Sequence, residues 1–248
     1  MSKNQEVIFC RMGRMEYEEC WSLQQQLQAK LIHNKRSDAP KDIPHVCLLV
    51  EHPPVFTLGK SGDESNLIAS KEDLEAAGAT FVKIDRGGDI TYHGPGQIVG
   101  YPILDLDRFY TDIHRYLRDL EEVIIKTCKS FNIDAGRFDG KTGVWITEPA
   151  GNERKICAMG IRCSRWVTMH GFALNVATET DHFSMIVPCG IQDRGVTSME
   201  MELLQKLDKG AVESEIAEKF AEVFGVKAQT LEYNDAQSFL TTYLDEKA

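Results

Sequence analysis

The sequence predicts an α+β fold in which a mixed β-sheet is flanked by helices. Strand-like runs cluster between residues 45 and 176, and helical patterns lie before, among and after them. The sequence has no internal repeat and no low-complexity segment. Its most linker-like stretch, the polar residues 33–44, comes too early to separate two domains. We therefore expect one domain that covers residues 1–248.

In the first half of the chain, two predicted helices flank three predicted strands. Residues 16–34 place apolar side chains near helical spacing and predict a surface helix. Residues 45–51 form a short continuous apolar run that is typical of a buried strand, and residues 80–85 and 97–104 predict two more strands. Residues 112–131 predict an amphipathic helix. Its predicted N-cap is Asp112, and its apolar face consists of Ile113, Leu117, Leu120, Ile124 and Cys128.

In the second half, strands come first and helices last. Turn residues separate most of the strand-like runs, which is typical of neighbouring strands in one sheet. The predicted strands are residues 142–147, 155–163, 166–168 and 172–176, and the predicted helices are residues 211–224 and 236–244.

Composition is ordinary for a globular protein, with 42% apolar and 27% charged residues among 248. No run approaches the roughly 18 apolar residues that span a bilayer. The N-terminus has only a short apolar run, residues 7–10, and lacks the apolar region of a signal peptide. The expected compartment is therefore the cytoplasm.

The net charge of −10 argues against nucleic acid as a general partner. The charge is uneven, because residues 137–166 carry six basic and three acidic side chains, whereas the chain from residue 201 onward is acidic. A locally basic face suits a small acidic partner. From charge alone, a solvated strand edge that carries Lys and Arg is the commoner explanation.

The seven cysteines are an odd number, and none of them forms a C-x-x-C pair. Most lie inside apolar runs, as Cys47 does, which indicates reduced, buried thiols rather than disulfides or a zinc site. Cys189 differs, because Pro188 and Gly190 flank it in a turn that presents the side chain. It is therefore the candidate nucleophile.

Lys155 is the second candidate catalytic residue, at the start of a strand-like run. A lysine beside Cys189 would favour the reactive thiolate. A lysine near the start of a strand is more often solvated. The sequence alone also does not place Lys155 beside Cys189, which is 34 positions away.

A glycine pair marks a candidate binding loop at residues 86–93. Glycines let the backbone turn tightly and approach a ligand, and exposed N–H groups there bind carbonyl oxygens or oxyanions. A hairpin loop with a satisfied histidine is the plainer interpretation of a glycine pair alone, whereas the Arg, Thr, Tyr and His residues around this pair favour a binding function. A second segment, residues 170–176, offers small and apolar side chains suited to an alkyl chain or to an ordinary core strand. Two lysines that follow glycines, Lys60 and Lys141, lack the upstream glycine of a P-loop.

At residues 51–59, 86–101, 155–176 and 186–198 the chain resembles the lipoyl(octanoyl) transferase family. These blocks cover most of residues 45–200, and their most specific feature is Arg-Gly-Gly-x-x-Thr-aromatic-His followed by Pro-Cys-Gly-Ile. The resemblance implies the fold of biotin and lipoate protein ligases. It also implies transfer of an octanoyl group from acyl carrier protein to a lysine of lipoyl-domain proteins, the first step of endogenous protein lipoylation.

The resemblance assigns roles to individual residues. Cys189 is implied to be the thioester nucleophile, and Lys155 the residue that favours its thiolate. The implied substrate-binding residues are Arg86, Gly87, Gly88, Asp89, Ile90, Thr91, Tyr92, His93, Ala158, Met159, Gly160, Gly171, Phe172 and Ala173. No cofactor and no metal is implied, because the incoming thioester is already activated.

The implied partners are octanoyl-acyl carrier protein as donor and lipoyl-domain proteins as acceptors. These acceptors include 2-oxoacid dehydrogenase E2 subunits and the glycine cleavage H protein. Neither nucleic acid nor membrane is expected as a partner, and we expect a monomer.

Three alternatives stay open at the level of sequence. An ATP-dependent lipoate or biotin ligase of the same fold would form an acyl-adenylate and need no cysteine. A binding module would recognise acyl carrier protein without transferring the acyl group. A cysteine hydrolase would need a histidine paired with Cys189, and the sequence does not indicate one.

Overall fold

The structure, a computed structural model, describes residues 5–147, 151–187 and 195–246. The strands are β1 (Glu6–Arg14), β2 (His45–Glu51), β3 (Val55–Leu58), β4 (Thr80–Lys83), β5 (Ile90–His93), β6 (Gln97–Ile103), β7 (Val144–Ile146), β8 (Arg154–Ser164), β9 (Val167–Asn175), β10 (Gly195–Val196) and β11 (Lys227–Leu231). The α-helices are α1 (Tyr17–Lys35), α2 (Lys71–Ala76), α3 (Ile113–Ser130), α4 (Met199–Leu203), α5 (Lys209–Phe224) and α6 (Tyr233–Asp245). Short 3₁₀ helices span Glu64–Asn66, Leu106–Arg108 and Asp181–Met185.

A large mixed sheet forms the centre of the fold. Over the described residues its strand order is β10-β8-β9-β6-β2-β1-β11, and β7 pairs with β8. β1 runs parallel to β2 and β11, and β10 runs parallel to β8. The pairs β2–β6, β6–β9, β7–β8 and β8–β9 are antiparallel. The predicted α+β architecture with a mixed sheet is therefore confirmed.

Helices cover both faces of this sheet. Successive side chains of a strand point to opposite faces, so apolar strands present an apolar surface on each face for helices to bury. In β1, Val7 and Phe9 pack with α3 and α5, whereas Ile8 and Cys10 pack with α1 and α6. A sheet buried on both faces explains why β2 is a continuous apolar run rather than an alternating one.

A second, three-stranded sheet has the order β4-β3-β5. β3 pairs with β5 in antiparallel fashion and with β4 in parallel fashion. Its apolar side chains, among them Phe56 and Ile90, form a separate small core with Ile186. This sheet carries the loop at residues 86–89 towards the edge of the large sheet.

The four predicted helices lie where the sequence places them, as α1, α3, α5 and α6. The predicted strands at β2, β4, β6, β7 and β8 do so as well. The side chain of Asp112 accepts a hydrogen bond from the backbone N–H of Arg115 at 3.0 Å, which confirms it as the N-cap of α3. The stretch after α1, residues 36–44, is a largely exposed loop, as expected.

Two strand predictions are wrong in detail. Residues 166–168 and 172–176 do not form two strands, because β9 continues without a break between them. The ladder with β8 continues through His170, which pairs with Ile161 although its φ of +60° is unfavourable for a side-chain-bearing residue. The sequence did not predict the strands β1, β3, β5, β10 and β11 or the short helices α2 and α4.

Candidate active site

A cavity of about 530 Å³ lies between the small sheet and the strands β6, β8 and β9 of the large sheet. The N-terminal end of α3 contributes Ile113 and Leu117 to its wall, and β7 contributes Trp145. All three segments that the sequence predicts to bind substrate reach this cavity. The predicted residues that line it are Arg86, Gly87, Gly88, Asp89, Ile90, Thr91, His93, Lys155, Ala158, Met159, Gly160, Gly171, Phe172 and Ala173.

Arg86 is buried and fixed from one side. Its Nη2 donates to the backbone oxygen of Thr57 at 2.8 Å and to the Thr57 hydroxyl at 3.0 Å. The next residue, Gly87, donates its N–H to the Ile161 carbonyl at 2.9 Å, which ties the loop to β8. Gly88 has φ +89°, a conformation that glycine adopts without steric cost. The Gly-Gly turn predicted from the sequence therefore holds Arg86 against β8.

Glycines on β8 and β9 allow backbones to approach each other closely. A Cβ atom at Gly160 would lie 2.8 Å from the Gly87 carbonyl oxygen. A Cβ atom at Gly171 would lie 2.2 Å from the Gly100 carbonyl oxygen. Gly160 and Gly171 face each other in the β8–β9 ladder, so together they make room for the loop and the cavity.

Tyr92 is the one predicted binding residue in the described chain that does not line the cavity. It is adjacent to Thr91 and His93 on β5, and neighbouring strand residues point to opposite faces. Its ring stacks on His182 at 4.8 Å and meets Phe183 edge-on at 5.4 Å. Tyr92 therefore belongs to the small core beneath the loop.

Lys155 lies where three strands meet. It is opposite Trp145 of β7 and Val196 of β10, and its carbonyl accepts a hydrogen bond from the Thr197 N–H at 3.0 Å. Its Nζ lies 4.6 Å from the centroid of the Trp145 ring. The predicted catalytic lysine thus lines the cavity on a fixed backbone.

Cys189 lies outside the described residues. The described chain before it ends at Val187, whose N–H donates to the Asn66 carbonyl at 2.8 Å, and resumes at Gly195, which pairs with Arg154 beside Lys155.

The other six cysteines agree with the prediction of packing residues. Five are buried and Cys163 is half-buried, and all six are free thiols. Burial raises the pKa of Cys10, Cys20 and Cys128 to about 12, which makes these thiols poor nucleophiles.

A buried chain of hydrogen bonds runs along the wall of the cavity, and His93 is its one member that the sequence predicts as a site residue. His93 Nδ1 lies 2.9 Å from Gln97 Oε1, and Gln97 Nε2 donates to Asn175 Oδ1 at 2.9 Å. Asn175 Nδ2 then donates to the Thr197 carbonyl at 3.0 Å. The available signal was a pair of amides, Gln97 and Asn175, inside predicted strands, where the structure buries both. Such polar groups need partners.

Three histidines near the cavity are uncharged in the folded protein. Burial lowers the pKa of His93 to about 3 and that of His52 and His170 to about 4. His52 Nδ1 lies 2.7 Å from the Met15 carbonyl, and its Nε2 lies 2.8 Å from the Tyr101 hydroxyl. These contacts fix the neutral ring of His52 behind His93 and Tyr101, which line the cavity.

Part of the predicted basic face is neutralised within the chain. Carboxylates from other elements pair with three of the six basic side chains of residues 137–166. The pairs are Arg137 with Glu121 and Glu122, Arg154 with Glu202, and Arg162 with Asp85. These arginines therefore serve the fold and do not provide a free basic surface.

Neither metal ligands nor membrane spans are found in the part of the chain that the structure describes. No three His, Cys, Asp or Glu side chains come together there as a metal site. No helix in the same ranges is both long and apolar enough to cross a membrane.

Comparison with known protein families identifies the relationship. The sequence model of the lipoyl protein ligase A/B catalytic domain matches residues 16–221. An octanoyltransferase of Flavobacterium psychrophilum is 51% identical over 226 residues, which cover 89% of this chain and 97% of that protein.

The chain belongs to the lipoyl(octanoyl) transferase family.

Other relatives of this acyltransferase agree. An octanoyltransferase of Bacteroides fragilis is 46% identical over 200 residues, which cover 81% of this chain and 90% of that protein. Among solved structures, the bipartite lipoate protein ligase of Thermoplasma acidophilum superposes with a TM-score of 0.66 at 15% identity. That match covers 98% of this chain and 93% of the archaeal chain. A lipoate-protein ligase A crystallised with ATP has the same TM-score at 13% identity, over 99% and 96% of the two chains. The acyltransferase thus has the lipoate protein ligase fold.

Proposed function

We propose that this acyltransferase moves an octanoyl group from acyl carrier protein, through a thioester on Cys189, to a lysine of lipoyl-domain proteins. The observation that carries the proposal is the cavity itself, where Lys155 and the three predicted binding segments meet around a largely apolar wall. Octanoyltransferase relatives at up to 51% identity support the acyl group. The proposed acceptors include 2-oxoacid dehydrogenase E2 subunits and the glycine cleavage H protein.

The apolar wall suits the alkyl chain. Met159 and Phe172 face each other across the β8–β9 ladder, and the Phe172 ring lies where a Cβ of Gly100 would otherwise be. Each methylene that leaves water for such a wall contributes about 0.8 kcal/mol. The uncharged histidines at the polar end of the cavity add no charge that an alkyl chain would have to avoid.

In the first half-reaction the Cys189 thiolate attacks the carbonyl carbon of the donor thioester. The bond to the pantetheine sulfur breaks, and the departing thiolate takes a proton from the Lys155 ammonium. The products are the acyl-cysteine, free pantetheine thiol and a neutral Lys155. This step places Cys189 and Lys155 in the catalytic roles predicted from the sequence.

In the second half-reaction the acceptor ammonium gives one proton to neutral Lys155 and attacks the acyl-cysteine. The amide forms, the Cys189 thiolate leaves, and the second proton of the acceptor goes to solvent. Each turnover thus releases one proton and restores the thiolate–ammonium pair. Two successive acyl transfers predict ping-pong kinetics.

The test is intact-protein mass spectrometry under denaturing conditions after mixing the protein with octanoyl-acyl carrier protein and no ATP. We expect one octanoyl adduct in the wild type, removed by hydroxylamine and absent in Cys189→Ala. Cys163→Ala, which removes the half-buried cysteine, is the matched control and should keep the adduct. If no adduct forms and transfer needs ATP with free octanoate, the proposal is overturned in favour of a ligase.

The organisation of the protein is part of the same proposal. We infer one catalytic domain over residues 1–248 that acts as a cytoplasmic monomer without a cofactor.

A further inference from the structure

Trp145 is held rigidly next to Lys155. It is 2% exposed and lies in β7, opposite Lys155 in the β7–β8 ladder. Its backbone N–H donates to the Gly136 carbonyl at 2.9 Å, and its backbone carbonyl accepts from the Gly136 N–H at 2.8 Å. Phe138 contacts its ring with 5.9 Å between centroids. Because the backbone is tied on both sides and the ring is buried, the orientation of the indole is fixed.

The face of that ring receives the lysine. Nζ of Lys155 lies 4.6 Å from the ring centroid, within the roughly 6 Å that defines a cation–π contact. Tryptophan is the aromatic side chain that attracts a cation most strongly. The contact favours the charged ammonium over the neutral amine, and it restricts a side chain that otherwise has four rotatable bonds.

The indole N–H does not account for the choice of tryptophan. Nε1 is buried and has no hydrogen-bond partner among the described residues. A buried donor without a partner destabilises a fold, and leucine or phenylalanine would avoid that penalty. The face of the ring is therefore the part of Trp145 with a favourable use in this structure.

We propose that Trp145 is a positioning residue for Lys155, whose ammonium its ring face holds at the cavity wall in the charged form. The inference rests on the proposed role of Lys155 beside Cys189. Under this inference, the electrostatic field at the Cys189 sulfur also depends on Trp145, which does not itself react. A fixed ammonium favours the thiolate and stays within reach of the departing thiol.

The test is the pH profile of Cys189 alkylation by iodoacetamide in the free enzyme. Peptide mass spectrometry follows the peptide that contains residue 189, so the other cysteines do not contribute. For Trp145→Leu we expect a midpoint at higher pH and a rate at pH 7 that is about tenfold lower, the size of a strong cation–π contact. Trp145→Phe keeps an aromatic face and should stay within about threefold of wild type.

A double-mutant cycle separates positioning from a general packing role. If Trp145 acts through Lys155, then adding Trp145→Leu to Lys155→Ala should change the profile no further. Thermal unfolding of each variant checks the fold, and Trp145→Met replaces Trp145→Leu if the latter does not fold.

A wild-type profile in Trp145→Leu overturns the inference, and so does a Trp145→Phe profile equal to that of Trp145→Leu. The inference is also overturned if Trp145→Leu slows Cys189 alkylation in the Lys155→Ala variant as much as it does in the wild type. The proposed function fails separately, because then the wild type forms no octanoyl adduct. The proposed role of Lys155 also fails separately, because then Lys155→Ala itself would leave the profile unchanged.

Discussion

At the scale of single residues, the site depends on glycines, because the lack of a Cβ atom lets backbone segments approach each other closely. Gly160 lets the Arg86–Gly87 backbone lie directly on β8, where a Cβ would meet the Gly87 oxygen at 2.8 Å and the Arg86 Cδ at 3.0 Å. The neighbouring oxygen is backbone and is tied down by the bond from Gly87 to Ile161. It has little freedom to move aside.

Gly160→Ala is therefore expected to displace the Arg86 loop. Overpacking of this kind costs about 1–3 kcal/mol of stability, and we expect octanoyl transfer to fall at least about tenfold because the loop lines the cavity. Gly136→Ala is the matched control, since no atom lies within 4 Å of a Cβ there. Urea unfolding and transfer assays measure both effects, and equal behaviour of the two variants would contradict the account.

Lys155→Ala tests the proposed lysine–cysteine pair at the same scale. Loss of the ammonium removes the charge that favours the Cys189 thiolate, so we expect slower acylation and an alkylation profile shifted to higher pH. Stopped-flow measurement of acyl-enzyme formation gives the rate. Lys141→Ala is a suitable control because Lys141 also lines the cavity. Acylation slowed equally by both variants would argue for a general charge effect.

At the scale of elements, the loop between α3 and β7 is held by one buried carboxylate. Glu121 on α3 is fully buried, and it accepts hydrogen bonds from the Gly143 N–H at 3.0 Å, Arg118 at 2.7 Å and Arg137 at 3.0 Å. Gly143 has φ +108° and leads directly into the strand that carries Trp145. The helix thereby sets the position of the cavity wall.

Glu121→Gln should loosen this loop. The amide oxygen keeps the bond from the Gly143 N–H, but the NH2 group replaces the oxygen that accepts from Arg118 and Arg137. A buried donor then faces the arginine donors without an acceptor, which costs about 1–3 kcal/mol. Glu122→Gln removes only a partly exposed pair with Arg137 and should cost less than about 1 kcal/mol. Urea midpoints measure both variants, and the ranking is wrong if Glu122→Gln is the more damaging.

Hydrogen bonds also join the short strand β10 to the rest of the site. The Thr197 N–H donates to the Lys155 carbonyl, and its own carbonyl accepts from Asn175. Its hydroxyl donates to Glu202, which in turn pairs with Arg154 at 3.1 Å. The strand that follows the segment of the proposed nucleophile is therefore fixed to both β8 and β9.

At the scale of the whole molecule, four buried histidines make stability depend on pH. Burial lowers the pKa of His45 and His93 to about 3, and that of His52 and His170 to about 4. In the unfolded chain these side chains take up protons near pH 6.5. Below that pH the unfolded state binds more protons than the folded state, so it is favoured as the pH falls.

We therefore expect full stability above about pH 6.5 and a progressive loss down to about pH 4. Each histidine contributes up to about 1.4 kcal/mol per pH unit in that window. His45→Gln should reduce the slope of the unfolding free energy against pH by the equivalent of about one bound proton. His114→Gln, at an exposed position, controls for the removal of a histidine as such. Urea midpoints between pH 7.5 and 4 provide the measurement, and a flat profile would show that the histidines are not buried neutral.

The local pattern of the chain determined much of the fold. The apolar spacing of α1 and α3, the N-cap Asp112 and the apolar run of β2 are local signals, and each element lies where the sequence predicts it. The composition of the loop at residues 86–93 likewise indicated a tight turn near a ligand. These predictions succeed because helical spacing, capping and glycine conformation depend on neighbours within a few residues.

Tertiary contacts decided the rest. β3 and β5 have only four residues each and become strands by pairing with each other. β9 crosses His170 because the ladder with β8 continues there. The positions of Trp145, Gln97 and Asn175 at the cavity follow from strand register. A one-residue shift of register would turn each side chain to the other face. The sequence by itself determined which residue types are available for acyl transfer, whereas the pairing of distant strands decided which of them meet.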